Sequence, residues 1–229
     1  MSKQLDEDYN KKYNLIIKCY DEKASLIDAV GSALACKLAE DSCNEIRSIV
    51  AKALVWASEN EGSARLLHKL AQDKDLLVRL EAIDSLSAYS DKESMTILQN
   101  ALDDPDELIR MYSAIGFSRI CQRIAEIEYG TRILQHYLNI EKCDIVKIAL
   151  FEGLYVLGDF SKLENIINMF ECEDYHIKCF IINSLIEIIN YKNYNDIIQF
   201  IDRVNLMEVE PAVSSSIACL RKVANRYCN

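Results

Sequence analysis

The sequence predicts an all-α fold, a right-handed α-solenoid of about six antiparallel helix pairs, and three observations carry the prediction. Apolar residues recur with helical spacing along the chain. Glycine and proline are scarce, six and two in 229 residues, which leaves little room for a turn-rich β fold or a flexible linker. The longer helical segments also repeat one another at intervals of 31–37 residues, the mark of a stacked array. No segment alternates in the manner of a strand.

Six segments, 45–57, 76–88, 107–121, 144–157, 175–190 and 212–224, place apolar residues at i, i+4 and i+7 or i+8. Shorter helical patterns lie between them at 64–71, 93–102, 129–140, 160–170 and 194–203. The breaks carry stop and start chemistry: Glu61-Gly62-Ser63, Ser90-Asp91-Lys92, Asp103-Asp104-Pro105-Asp106, Gly130-Thr131 and Gly158-Asp159.

The longer segments align on a branched residue followed by a base: Ile46-Arg47, Val78-Arg79, Ile109-Arg110, Val146-Lys147 and Ile177-Lys178. A sixth, degenerate copy starts near Ala212. Four positions on stand Val50, Ala82, Ser113, Leu150 and Ile181; eight on, Leu54, Leu86, Phe117, Leu154 and Leu185. Offsets zero, four and eight form one buried stripe. Offset seven, on the same stripe, is always small: Ala53, Ser85, Gly116, Gly153 and Ser184. Glycine inside a helix costs about 1 kcal/mol relative to alanine, so Gly116 and Gly153 predict close helix approach. Acids precede the helices, Asp41, Asp73, Asp104 and Glu141 five positions before the anchor and Asp75, Asp106 and Asp174 three before. They are expected to satisfy free N–H groups, and the base at offset one to pair with an acid of a neighbouring repeat.

Asp104-Pro105-Asp106-Glu107-Leu108-Ile109-Arg110, and nearly as well Asp73-Lys74-Asp75-Leu76-Leu77-Val78-Arg79, resemble the turn and helix start of HEAT repeats, particularly the short bacterial form. The likeness spans residues 25–226 and implies an α-solenoid whose second helices line a concave face. A single domain over 1–229 is expected, with residues 1–24 supplying a capping helix. Cys172 stands in place of the first acid of the fifth copy, and the last copy lacks both acid and base.

Composition narrows the function. The formal net charge is −10, the wrong balance for direct nucleic-acid binding. No apolar run reaches the roughly 18–20 residues of a membrane span, and no secretory signal opens the chain. Nine cysteines, an odd number without a C-x-x-C pair, fit reduced thiols in a cytoplasm. Acidity is uneven, with eight acids and three bases in residues 141–174.

No phosphate loop, dinucleotide loop or nucleophile–histidine arrangement is visible. His68, His136 and His176 are isolated and read as structural. The recurring acids and bases read as structural too, since a reaction needs one site rather than five. Cys172, His176 and Cys179 have metal-like spacing, but a structural zinc wants four ligands. No metal, cofactor or catalysis is expected.

Offsets two, six and nine point away from the buried stripe. With their neighbours they nominate Lys52, Trp56, Asp84, Tyr112, Ile115, Glu152, Tyr155, Asn183 and Glu187 as a partner-binding ridge. The expected function is a non-catalytic scaffold capturing a basic protein, most concretely an immunity protein neutralising a toxin such as a nuclease. Among proteins built from similar repeats, phycobilin lyases supply the alternative, beside a general adaptor; the acidic balance weighs against HEAT-like DNA glycosylases.

Overall fold

A computed structural model describes residues 2–57 and 60–227, all helix and connecting turn with no strand. The chain divides into two compact units, Met1–Ile127 and Glu128–Asn229.

The first unit begins with α1 (Ser2–Asp21), α2 (Leu26–Val30) and α3 (Ser32–Ala39). Three inner helices follow, α4 (Asn44–Ala53), α6 (Leu76–Leu86) and α8 (Glu107–Arg123), alternating with outer α5 (Glu61–Leu70) and α7 (Lys92–Asn100). The inner helices pack side by side and α1 lies against α4. Helices α2 and α3 have no counterpart among the sequence-derived segments. They form one outer element broken at Gly31, whose φ of 81° halts the helix.

The second unit holds α9 (Ile127–Ile140, its first residue at the boundary), α10 (Asp144–Val156), α11 (Lys162–Asn168), α12 (Tyr175–Ile188), α13 (Tyr194–Asn205) and α14 (Pro211–Ala224). Here α10, α12 and α14 are the inner helices. Gly158, with φ 107°, ends α10, and Asp159 N–H reaches back to the Leu154 carbonyl.

The repeat register places the core. Residues at offsets four and eight are 0% exposed in all five copies. The small residues at offset seven are buried as well. A Cβ built on Gly116 would stand 3.0 Å from Leu98 Cδ1 and 3.3 Å from Ser87 Cβ, so α8 meets α7 and the end of α6 at the distance a glycine permits. Of the anchors, Ile46, Val78, Ile109 and Val146 are buried, whereas Ile177 is half-buried.

The turns follow one plan. Asp75 and Asp106 cap α6 and α8 by accepting from Leu77 and Val78 N–H and from Leu108 and Ile109 N–H. The acid two residues earlier folds the turn, Asp41 accepting from Cys43 N–H, Asp73 from Asp75 N–H and Asp104 from Asp106 N–H. Arg47, Arg79 and Arg110 each donate Nη1 to two carbonyls of their own turn. The first two also face the carboxylate of the next repeat: Arg47 binds Asp73 through two bonds of 2.7 and 2.8 Å, and Arg79 Nε lies 4.0 Å from Asp104. Lys12 of α1 extends the series backwards to Asp41 at 2.9 Å.

Lys147 and Lys178 depart from the expected pairing with an acid of a neighbouring repeat. Lys147 pairs with Asp144 of its own helix at 3.0 Å, and Lys178 Nζ lies 5.8 Å from the centre of the Phe170 ring. A lysine lacks the planar fork that takes turn carbonyls and a carboxylate together.

Candidate protein-binding face

In the first unit, α4, α6 and α8 share an open face whose residues come from several repeat offsets. Lys52 of α4 lies 5.2 Å over the ring of Tyr20 from α1. Lys23, just beyond α1, lies 5.3 Å over the Trp56 ring, and Tyr20 and Trp56 are 6.0 Å apart between centroids. These aromatic–cation contacts order the edge of the face. Trp56 is 39% exposed, so most of the indole is covered while one side remains open.

From that edge the face runs through Glu81 and Asp84 of α6 to Tyr112 and Arg119 of α8. Burial raises the Glu81 carboxyl above its ordinary range; Asp84 adds to this and Lys52 opposes it. The surrounding protein raises the Asp84 carboxyl, against Arg119 and Lys52, although Asp84 itself is exposed. Tyr112 is raised by burial and then by Asp84 and Glu81. Two acids and a phenol with raised proton affinity thus sit between two cations. Each of the three holds its proton more tightly than the same group in water.

Of the nominated residues, Lys52, Trp56, Asp84, Tyr112 and Ile115 lie on α4, its 3-10 extension, α6 and α8. Asp84 and Trp56 are exposed and the other three half-buried. Glu81, Arg119 and Tyr20 were missed. Offsets three and ten fall about 300° and 280° round a helix turning about 100° per residue, just beyond the arc sampled by offsets two, six and nine. The ridge already takes Tyr112 from offset three and Trp56 and Glu187 from offset ten, so the same offsets read in every copy give Glu81 and Arg119; Tyr20 lies outside the repeat altogether.

In the second unit Asn183 and Glu187 are exposed on α12. Glu152 and Tyr155 are not open ridge residues, at 2% and 6% exposure. Tyr155 is tied inward: its hydroxyl accepts from Asn193 Nδ2 at 2.7 Å, and the same amide donates to the Ile188 carbonyl at 3.0 Å. Asn193 is itself buried, and its Oδ1 accepts from Asn190 N–H. The pair closes the turn between α12 and α13.

The acidity of 141–174 is also partly committed locally. Asp159 holds Ser161 and Lys162, and Asp174 caps α12 through His176 N–H. Their hydrogen bonds keep both carboxyls below the ordinary range against the opposing effect of desolvation. Among the described residues, no group of three or more His, Cys, Asp and Glu is placed to hold a metal. Cys172 Sγ turns to the Asp174 carbonyl at 3.6 Å, while His176 lies beside Asp174 at 3.1 Å.

The family model for HEAT repeats matches residues 32–116, which include all of α4 and α6 and the first part of α8. No curated protein matches the sequence. Among solved structures, the complex of CpcE and CpcF of phycocyanin lyase from Nostoc sp. PCC7120 is similar with a TM-score of 0.46 and 12% identity, over 86% of this chain and 94% of that one. That complex is a lyase, and the expectation that this chain is not an enzyme is withdrawn. Missing motifs do not exclude chemistry, because catalytic groups brought together by helix packing need no fixed spacing. Among the described residues, no helix is long and apolar enough to cross a membrane. With the fold all-α and the repeat register matched by its buried stripes, residues 32–116 are similar to HEAT repeats.

Proposed function

We propose that the protein is a binding scaffold that seats a protein partner on the open face of α4, α6 and α8. The supporting observation is the row from Tyr20 and Trp56 through Lys52, Glu81 and Asp84 to Tyr112 and Arg119. Aromatic groups supply contact area, and charges of both signs supply orientation. Glu81 and Asp84 are suited to receive arginine or lysine side chains. Residues 1–127 contain 22 acids and 16 bases, which favours a partner of net positive charge.

Capture of a toxin by an immunity protein is the finer form of this reading and rests on size and net charge. Tetrapyrrole handling on an antenna protein is its alternative, prompted by the lyase neighbour.

The test is affinity capture with the full chain, followed by titration of the captured protein against wild type and a Glu81→Lys/Asp84→Lys variant at two salt concentrations. Weaker binding by the variant, with unchanged helical content, is expected. Added salt should slow association to wild type, since exposed charges are screened over about 10 Å at 0.1 M. Equal affinity for both proteins would remove this face from the interaction. A toxin neutralised in the titration would select the first finer form; an absorbance change with a bilin-bearing protein would select the second.

A further inference from the structure

A second site lies on the outer layer of the first unit, between α5, α7 and the turn that joins α6 to α7. It is a cleft of about 750 Å³ whose lining includes Glu61, Arg65, His68, Tyr89, Asp91 and Glu93. His68 is 8% exposed. Its Nε2 lies 2.8 Å from Ser94 Oγ, and that hydroxyl donates to Asp91 Oδ2 at 2.7 Å.

The hydrogen count settles the histidine tautomer. Ser94 has one hydroxyl hydrogen and the Asp91 carboxylate takes it, so the 2.8 Å contact requires the hydrogen of His68 Nε2. In the neutral imidazole, Nδ1 is then a bare acceptor. It is buried without a hydrogen-bond partner, and Glu93 Oε1, a second acceptor, stands 3.4 Å away. Two acceptors facing each other in this way want a donor between them. An unpaired buried acceptor is unfavourable, and the Asp91–Ser94 relay holds the ring in that orientation.

We propose that this cleft binds an alkylammonium or guanidinium group, which donates to His68 Nδ1 and to the Glu93 carboxylate. Three acids line the cleft; its one arginine pairs with Glu61 at 3.0 Å, which leaves Asp91 and Glu93 and a net negative lining. This lining selects a cation over an anion. A cation that is an organic donor also fits the volume, which lies in the usual range for small-ligand sites. The Glu93 side chain is 73% exposed and swings outward to admit the donor. Tyr89 sends its hydroxyl to the Leu54 carbonyl at 2.8 Å, leaving its ring as wall.

The test titrates the full chain with 1,4-diaminobutane and, separately, with an acetylated and amidated arginine. The uncharged 1,4-butanediol is the control, and the His68 imidazole nitrogens are followed by NMR at pH 8. Saturable movement of the Nδ1 resonance with a cation, absent with the diol and about tenfold weaker in Glu93→Gln, is expected. A response to the diamine alone assigns a free amine as ligand; a response to the arginine derivative assigns a basic side chain of a protein. Glu93 is exposed, so its variant should keep the fold, and Glu61→Gln, also exposed, provides a second variant. No Nδ1 movement up to about 10 mM of either cation would overturn the site. So would equal binding by wild type and both variants, or saturable zinc binding at His68 without a response to either organic cation.

Discussion

The Arg47 guanidinium grips the Asp73 carboxylate through two near-parallel hydrogen bonds, Nε to Oδ2 at 2.7 Å and Nη2 to Oδ1 at 2.8 Å. Its remaining nitrogen reaches the Asp41 carbonyl at 2.8 Å. One side chain therefore ties its own turn to the turn of the next repeat. Their side chains are 8% and 14% exposed, so solvent screens the pair little. Removing one partner leaves a charge in a poorly hydrated place, which costs about 3–5 kcal/mol for fully buried pairs. Arg47→Ala should lose about 3 kcal/mol by urea denaturation. Arg79→Ala, whose carboxylate contact is 4.0 Å, should lose about 1 kcal/mol, the worth of an ordinary hydrogen bond. Equal losses would mean that the turn carbonyls, rather than the fork, carry the stabilisation.

Acid should act on stability in two opposite stages. Glu81 and Asp84 have raised carboxyls, so the folded state takes up their protons first and the cost of keeping them charged is relieved as pH falls. Asp73 is lowered, chiefly by Arg47 against desolvation. At Asp41 desolvation acts upward and is overcome by Cys43 N–H, Lys12 and Arg47. Their contribution is whole above the unfolded value of about 3.9 and is lost as pH drops through the lowered folded values. The urea midpoint of wild type should rise slightly as pH falls from neutrality toward the ordinary carboxylate range, then fall below about pH 4. Glu81→Gln/Asp84→Asn should flatten the first arm and Asp73→Asn the second. Identical pH profiles for all three proteins would contradict these environments.

Gly116 has no room for a large side chain. Gly116→Leu should destabilise by about 1–3 kcal/mol or more through overpacking against Leu98 and Ser87. Gly116→Ala removes a helix-interior glycine, worth about 1 kcal/mol, but sets its methyl at the 3.0 Å contact, so its net change should be much smaller. Thermal melts of the three proteins check the order; a leucine variant as stable as wild type would disprove the close approach.

Tyr155 should behave as a structural residue. Tyr155→Phe removes the acceptor for Asn193 Nδ2, and Asn193→Ala removes the other side of the bond. Each should cost about 1–3 kcal/mol, the penalty for a buried polar group left unsatisfied. The double variant should cost less than the sum of the singles. Affinity for the captured partner, measured where all variants remain folded, should not change.

The helices and their buried stripes were legible in the sequence because both are set within a few residues. A period near 3.6 decides which face of a helix turns inward, and the turn acids act on N–H groups two or three positions away. Hence the stripe through Val50, Ala82 and Leu150, the caps at Asp75 and Asp106 and the small column at Gly116 follow from spacing alone. The break at Gly31 was missed because short α2 and α3 show too few turns for periodicity to register. Lys147 and Lys178 occupy the basic column in sequence, yet side-chain shape gives them different contacts from the arginines. Tertiary packing alone decided that Tyr155 serves a turn 38 residues away, that Asp84 shares its face with Arg119, and that His68 meets Ser94 in a cleft. Those neighbours lie on different helices. Their separation depends on how whole side chains pack, which the period of a single helix does not encode.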